Sequence, residues 1–261
     1  MARVKGIYKG AKVALSIPVV MAAQSVLMRT SPTRAKHFAH RYSSWLNKTM
    51  TARVHINGTP VKNEPCLMVA NHASWQDIFL IGGSVPVSFV AKSDVKSWPV
   101  IGTLARMAGT VFVDRTRRQS SGNTKNEMQQ RLENGETLVL FPEGTTSDGS
   151  QILPFKSALF GASQLEVDGK PIKVQPVTVA YKRVWNLPMA RAVRNGFAWA
   201  GDVPLGTHLW NNLKSGPIDV SITFHEPMTV NDVGGRKVLA KLSEEIIREG
   251  LAQELANCRL N

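Results

Sequence analysis

Cysteine and acidic residues are scarce in this chain, and each scarcity excludes a class of protein. The two cysteines, Cys66 and Cys258, lie far apart and belong to neither a metal-spaced cluster nor a redox pair, so we expect a reducing compartment, no disulfide framework and no metal. Acidic side chains number 19 against 32 lysines and arginines, which gives a formal net charge of +13. This excess predicts an anionic partner: nucleic acid, a membrane surface, a phosphorylated substrate or an acidic carrier protein.

Sequence signatures of nucleic-acid binding are also missing. The chain has no zinc-finger spacing, no aromatic and glycine pattern of an RNA-recognition strand and no helix-turn-helix pattern. Its basic residues are not gathered into one stripe. We therefore expect no nucleic-acid partner.

The amino-terminal region lacks a long uninterrupted apolar run. Its mostly apolar stretch, residues 13–28, is shorter than the about 20 residues that a spanning helix needs, and it contains Ser16, Pro18 and Gln24. Cations flank the stretch on both sides: Arg3, Lys5, Lys9, Lys12, Arg29, Arg34 and Lys36. The pattern predicts membrane association and leaves open whether the helix spans the bilayer or lies in its interface.

A second helical segment follows over residues 33–50. It places Phe38, Tyr42 and Trp45 on one face and most of its cations elsewhere, which suits the headgroup region of a membrane. We predict that residues 1–50 form a membrane-associating helical pair and that residues 51–261 form the main domain. Two alternatives stay open: helices that only cover the core, and a cleaved signal peptide.

The main domain is predicted as an α/β fold, with a mostly parallel central sheet flanked by helices, because short apolar runs alternate with helical segments. The composition, 43% hydrophobic and 20% charged, suffices for one sizeable core. Predicted strands cover residues 53–56, 66–70, 87–91, 110–113, 137–141, 174–180 and 218–224. Predicted helices cover residues 75–81, 100–107, 123–134, 157–167 and 236–255, and residues 195–216 are predicted as a long connection.

His72 and Asp77 follow a buried apolar strand, in the segment Asn71-His72-Ala73-Ser74-Trp75-Gln76-Asp77. On a regular helix the two side chains would point about 140° apart, so they meet only if the backbone turns between them. Taken alone, the pair is read as a helix-entry histidine with a capping aspartate. Taken as a site, it supplies a general base and the carboxylate that orients it.

Four segments occur in order: Asn71 to Asp77; Thr110-Val-Phe-Val-Asp114-Arg115; Phe141-Pro-Glu143-Gly144-Thr145; and Val174-Gln-Pro176-Val177. Their order and content resemble the glycerolipid acyltransferase family, which includes the 1-acyl-glycerol-3-phosphate acyltransferases, over about residues 66–180. The resemblance implies transfer of a fatty acyl group from acyl carrier protein or coenzyme A to the hydroxyl of a lysolipid. It implies no cofactor beyond this acyl donor, and an enzyme on the cytoplasmic face of a bacterial inner membrane.

The residues support that chemistry independently of the resemblance. His72 is predicted to remove the proton of the attacking hydroxyl, and Asp77 to fix its tautomer and stabilise the imidazolium. Direct attack needs no acyl-enzyme. We interpret Ser74 as a helix cap, since no glycine-serine-glycine elbow surrounds it. The sequence does not identify the donors to the oxyanion, and the backbone amides of residues 101–102 are the suggested candidates.

Acceptor-binding residues follow from the resemblance. Arg115 is expected to bind the acceptor phosphate, and Glu143, Gly144 and Thr145 match the acceptor-binding turn of the family. The family commonly has arginine after this threonine, whereas the chain has Thr146. Candidate replacement cations for this position are Lys156 and Lys92.

The resemblance implies 1-acyl-glycerol-3-phosphate as the expected acceptor, which would give phosphatidic acid, because Arg115 is retained and that activity dominates the family. The departure at Thr146 leaves a lyso-ornithine lipid open as the alternative acceptor. Two rival functions remain as well: a non-catalytic lipid-binding protein, and a thioesterase or lipase that releases free acid without an acceptor.

Overall fold

A computed structural model describes residues 2–113, 120–201 and 203–260 of the 261-residue chain, without the side chains of residues 120–125 and 259–260. It has a central mixed sheet, mostly parallel, flanked by helices and preceded by a long apolar helix. The predicted fold class is therefore confirmed. Arg115 lies outside the described residues, and its predicted role stays a prediction.

Ten strands occur within the described residues. They are β1 Ala52–Gly58, β2 Cys66–Ala70, β3 Ser88–Lys92, β4 Val111–Val113, β5 Thr137–Leu140, β6 Glu166–Val167, β7 Lys170–Pro171, β8 Lys173–Val184, β9 Leu187–Pro188 and β10 Ile218–Phe224. All seven predicted strands are present, with ends shifted by a few residues. The short strands β6, β7 and β9 were not predicted.

Eight α-helices occur within the same described ranges. They are α1 Ala2–Thr30, α2 Pro32–Thr49, α3 Gln76–Gly82, α4 Ile101–Met107, α5 Ser120–Glu133, α6 Arg191–Phe197, α7 Leu205–Lys214 and α8 Arg236–Leu260. Two 3₁₀ helices cover Ser93–Ser97 and Ser157–Gln164. The prediction of a connection over residues 195–216 is wrong, because α7 and the end of α6 occupy it.

The strand order of the main sheet is β1-β10-β8-β2-β5-β3-β4, with β9 paired to β8. Strands β8, β2, β5, β3 and β4 run parallel, while β10 is antiparallel to β8 and β1 is parallel to β10. The carboxyl ends of the neighbouring strands β8, β2 and β5 therefore meet at one edge of the sheet. Loops that follow these strands are the ones that can build a common site.

Both faces of the sheet are covered, so the central strand is apolar throughout. All five residues of β2 are buried. Cys66, Met68 and Ala70 face one hydrophobic cluster, and Leu67 and Val69 face the other. This arrangement explains why the strand reads as a continuous apolar run without polar alternation.

Helix α1 packs along the main domain and does not project from it. The Lys9 ammonium donates hydrogen bonds to the Thr51 hydroxyl at 3.0 Å and to the Ser215 carbonyl at 3.2 Å. Further along α1, the Gln24 amide donates to the carbonyl of Met107 at 2.7 Å. The proposed division at residue 50 stays a prediction, but these contacts tie the two parts together.

Candidate active site

The loop between β2 and α3 brings His72 and Asp77 together. The Nδ1 atom of His72 lies 2.9 Å from Oδ2 of Asp77. The contact requires a backbone turn, and the turn is present because β2 ends at Ala70 and α3 begins at Gln76. The geometry agrees with the arrangement expected for a general base and its orienting carboxylate.

Asp77 is fully buried and held by several donors. Its Oδ2 atom also accepts hydrogen bonds from the amides of Ala73 and Ser74, both at 2.8 Å, and its Oδ1 accepts one from the Tyr181 hydroxyl at 2.7 Å. Burial and the charge of Asp77 raise the pKa of Tyr181 well above its ordinary value, so this hydroxyl stays a donor. Ser74 thus contributes its amide here, and α3 has no side-chain cap at its start.

The second ring nitrogen of His72, Nε2, has no hydrogen-bond partner among the described residues. In a neutral imidazole, a hydrogen bond from Nδ1–H to the Asp77 carboxylate places the free lone pair on Nε2. The ring stacks on Phe141 with 4.0 Å between centroids, and 17% of the side chain is exposed. The imidazole is therefore held in orientation while part of its side chain remains accessible to solvent.

Asn71 anchors the end of β2 to β8. Its side-chain amide donates to the Val179 carbonyl at 2.9 Å and accepts from the Val179 amide at 2.8 Å. Because Asn71 is completely buried, both groups must find partners inside the protein. These two hydrogen bonds continue the pairing of β2 with β8 beyond Ala70 through a side chain. They fix the backbone just before His72.

Glu143 connects the two site loops through backbone amides. One carboxylate oxygen accepts from the His72 amide at 2.7 Å, and the other accepts from the Leu153 amide at 3.0 Å. The side chain is buried, and burial raises the pKa of Glu143 to about 7. These contacts assign Glu143 to positioning the His72 loop, whereas its predicted contact with the acceptor stays a prediction.

The raised pKa of Glu143 predicts how stability changes with pH. The folded protein binds this proton more tightly than the unfolded chain, so the contribution of Glu143 to stability is complete below its unfolded pKa and is lost as the pH rises through about 7. We expect the free energy of unfolding, measured with urea, to fall more between about pH 5 and pH 8 in the wild type than in Glu143→Gln. If the free energy of unfolding fell equally with pH in the two proteins, the raised pKa of Glu143 would be contradicted.

The turn that follows Glu143 is hydrogen-bonded to the His72 loop through Ser147. Gly144 has φ of 74°, a conformation that glycine adopts without strain, and Thr145 beside it is exposed. The Ser147 amide donates to the His72 carbonyl at 2.7 Å. The Thr146 hydroxyl donates to the Trp199 carbonyl, so it points into the protein.

The remaining predicted site residues lie at the periphery. Lys156 is exposed, and its backbone amide donates to the Pro142 carbonyl at 3.0 Å, beside the turn that holds Glu143. Lys92 is the exposed last residue of β3. Neither ammonium contacts the described site residues, so both substrate-binding roles stay predictions.

The suggested oxyanion donors at residues 101–102 are already used. The Ile101 amide donates to the Pro99 carbonyl at 2.6 Å, and the Gly102 amide donates to the Trp98 carbonyl at 2.9 Å. Because both amides close the first turn of α4, they cannot also stabilise a substrate oxyanion.

Sequence reasoning missed Tyr181 and Trp199 as parts of the site. Tyr181 directly follows the predicted strand 174–180, and it reaches Asp77 because that strand neighbours β2, which leads into the His72 loop. A polar aromatic residue at the end of an apolar strand was the available signal. Trp199 had none, since it lies in a segment predicted as a connection.

The sequence profile described as Acyltransferase matches residues 26–181. The match includes His72, Asp77, Glu143 and Tyr181, the residues that form the hydrogen-bonded centre described above. The chain belongs to the acyltransferase family. Its long α8 and the helices α6 and α7 follow the matched region of this acyltransferase.

Relatives with two different names are similar to most of this acyltransferase. A lyso-ornithine lipid O-acyltransferase of Rhizobium meliloti is 41% identical over 78% of this chain and 70% of its own length. The protein of that name from Brucella abortus is 42% identical over 85% of this chain and 83% of its own length. A 1-acyl-sn-glycerol-3-phosphate acyltransferase of Neisseria gonorrhoeae is 34% identical over 76% of this chain and 74% of its own length.

One solved structure has the same fold as this acyltransferase. It is the 1-acyl-sn-glycerophosphate (LPA) acyltransferase of Thermotoga maritima, with a TM-score of 0.65 over 97% of each chain. At 23% sequence identity the likeness supports the architecture of the sheet and helices alone.

Proposed function

We propose that this acyltransferase moves a fatty acyl group from an acyl thioester of acyl carrier protein or coenzyme A to the free hydroxyl of a lysolipid. The observation that carries the proposal is the His72–Asp77 pair, in which Nε2 of His72 has no hydrogen-bond partner among the described residues and the side chain is 17% exposed. A hydroxyl attacks a thioester slowly until its proton is being removed, and a positioned imidazole near neutral pH can remove it.

The reaction then proceeds by direct attack. The lysolipid oxygen forms a bond to the thioester carbon as its proton passes to Nε2 of His72, and the negative charge of Asp77 stabilises the imidazolium. The tetrahedral intermediate collapses with cleavage of the carbon–sulfur bond. The departing thiolate takes the proton from Nε2, which regenerates the base and leaves an ester and a free thiol.

A lyso-ornithine lipid is the acceptor that we propose. Relatives of that name are 41% and 42% identical to the chain, against 34% for the lysophosphatidate enzyme of Neisseria gonorrhoeae. The inward contact of Thr146 supports the choice, because the family places a cation there and this chain uses the position for a contact inside the protein. Lysophosphatidic acid, the acceptor expected from the sequence because Arg115 is retained, becomes the second candidate.

The test is turnover by purified protein with one acyl thioester and with lyso-ornithine lipid or lysophosphatidic acid as acceptor. We expect thiol release to depend on added lyso-ornithine lipid and the acylated lipid to accumulate in equal amount. Free fatty acid without acceptor would indicate a thioesterase or lipase. Absence of turnover with either lipid, despite lipid binding, would indicate a non-catalytic binding protein.

The apolar face of α1 supports docking on a membrane. Side chains separated by four or seven residues lie on one helical face, and five of them are strongly exposed: Val4, Tyr8, Leu15, Val19 and Val26. Helices α1 and α2 carry nine lysines and arginines and no acidic residue: Arg3, Lys5, Lys9, Lys12, Arg29, Arg34, Lys36, Arg41 and Lys48. An exposed apolar stripe among cations matches an anionic lipid surface.

The contacts of α1 favour an interfacial over a spanning position. By length and apolarity α1 is the one helix within the described residues that could cross a membrane. It is bound to the main domain at Lys9 and again at Gln24, fifteen residues or about 22 Å further along. If the helix crossed the bilayer, it would carry α4 and α7 into the hydrocarbon. We therefore propose that the helix pair lies in the interface, on the cytoplasmic leaflet of a bacterial inner membrane.

Replacing Leu15 by aspartate tests this position. Burial of a leucine side chain is worth about 1.5–3 kcal/mol, so Leu15→Asp should weaken binding to vesicles of phosphatidylglycerol and phosphatidylethanolamine by about tenfold or more in a flotation assay. Val238→Asp, at an exposed position of α8, is the matched control and should bind as the wild type does. Equal binding by Leu15→Asp and the wild type would exclude this face as the membrane contact.

A further inference from the structure

Both site loops are held by a segment that lies beyond the matched family region. That region ends at residue 181, whereas α6, α7 and the residues between them cover residues 191–214. The Trp199 amide donates to the Ala73 carbonyl at 2.7 Å, and the Trp199 carbonyl accepts from the Thr146 hydroxyl. Trp199 thus contacts both the His72 loop and the turn after Glu143.

Helix α6 adds an ion pair to that turn. The guanidinium of Arg191 donates to Oδ2 of Asp148 from Nη2 at 2.8 Å and from Nε at 3.1 Å. The other oxygen of Asp148 accepts from the Ser150 amide at 2.8 Å. The Arg191 side chain is 67% exposed, so its guanidinium remains accessible to a ligand while it holds the carboxylate.

Asp148 stands one residue from a direct contact with the proposed base. The Ser147 amide donates to the carbonyl of His72, which fixes the chain of Asp148 beside the His72 loop. Burial raises the pKa of Asp148, but the Ser150 amide and the Arg191 guanidinium outweigh it, and the net pKa lies below the ordinary value. The turn and α6 therefore present a negative and a positive charge side by side, two residues beyond Thr146.

The charge pattern distinguishes the two acceptors. A phosphomonoester carries about −1.5 to −2 charges and would be repelled by Asp148. A headgroup made from amide-linked ornithine keeps one carboxylate and one side-chain ammonium. The ornithine carboxylate can pair with Arg191 and the ornithine ammonium with Asp148. The Asp148–Arg191 pair therefore accommodates a zwitterionic headgroup, whereas its carboxylate repels a phosphate.

We propose that Asp148 and Arg191 form the subsite that recognises the zwitterionic headgroup of the acceptor and selects it over a phosphomonoester. The inference rests on the proposed acceptor. It assigns specificity to α6, outside the matched family region, and gives a role to the Ser147-Asp148-Gly149 sequence that follows Thr146. The side chains of the pair are 67% exposed at Arg191 and 17% exposed at Asp148, so the test includes the ratio of KM between two acceptors, which a purely structural role would not change.

The test uses Asp148→Asn and Arg191→Gln, with steady-state kinetics on both acceptors. Asparagine keeps the oxygen that accepts from Ser150 and removes the charge. Because each substitution removes a hydrogen bond to a charged group, we expect KM for lyso-ornithine lipid to rise about tenfold or more in each variant, with kcat changed little. For Asp148→Asn we expect turnover of lysophosphatidic acid to stay the same or rise.

The matched control is Glu64→Gln, which removes an ion pair with Lys173 at the opposite end of β2 and β8. It should leave KM for both acceptors unchanged. If Asp148→Asn raised KM equally for both acceptors, or for neither, the subsite would be excluded. If the wild type acylated lysophosphatidic acid alone, the proposed acceptor would be wrong. This result comes from the wild type, so it is distinguished from failure of the subsite, which the variants reveal.

Discussion

Replacement of His72 by alanine should lower kcat for acyl transfer by about 10²–10⁴-fold, the usual contribution of a general base. The geometry suits that role: Nδ1 lies 2.9 Å from Oδ2 of Asp77, the ring stacks on Phe141, and Nε2 has no hydrogen-bond partner among the described residues. KM for the lysolipid should change little, because proton removal matters in the transition state and not in the ground state. The measurement is steady-state acyl transfer by purified protein.

A second histidine–aspartate pair provides a control for this substitution. His55 on β1 lies 3.4 Å from Asp219, but its side chain is 59% exposed and its pair is on the edge of the sheet. His55→Ala should therefore retain full activity. Binding of His72→Ala to vesicles should match the wild type, which separates loss of chemistry from loss of docking. A His72→Ala enzyme that kept most of its activity would overturn the proposed mechanism.

The fold was largely predictable because its strands are short apolar runs with local end signals. The predicted strand 66–70 matches β2 in both ends, since a strand buried on both faces has no polar interior residue and stops where polar residues begin. The antiparallel direction of β10 could not be predicted in this way. It depends on which strand pairs with which, and that is decided by packing across the whole domain.

The candidate site was predictable only where its residues are close in sequence. His72 and Asp77 stand five positions apart, so one loop is enough to join them. Tyr181 reaches Asp77 across 104 positions, and Trp199 reaches Thr146 across 53. Contacts of that range follow from the strand order and from the packing of α6 and α7, neither of which a local pattern encodes.

Thr146 was recognised as unusual from the sequence, but its contact was not predictable. The family commonly has an arginine at this position. The sequence shows the threonine but not what its side chain binds. In the structure the short Thr146 side chain donates a hydrogen bond to the Trp199 carbonyl inside the protein. A long cationic side chain at this position would have to extend into solvent.

Replacement of Asp77 by asparagine should lower kcat by about 10²–10³-fold, less than the about 10⁴-fold seen where such a change also imposes the wrong histidine tautomer. Asparagine can keep its oxygen where Oδ2 stands, toward His72 and the amides of Ala73 and Ser74, and turn its NH₂ group toward Tyr181. The tyrosine hydroxyl can accept as well as donate, so the fold and the tautomer survive. What is lost is the negative charge that stabilises the imidazolium.

The matched control for this change is Asp219→Asn, which removes the carboxylate of the exposed His55 pair and should leave kcat unaltered. Tyr181→Phe separates the two contributions of the centre, because it removes one hydrogen bond to the Asp77 carboxylate but keeps the negative charge, and it should lower kcat by about tenfold. Thermal unfolding of each variant verifies that the buried site remains intact. If Asp77→Asn folded normally and lost no more activity than Tyr181→Phe, the carboxylate would only hold the loop, and stabilisation of the imidazolium would have to come from elsewhere.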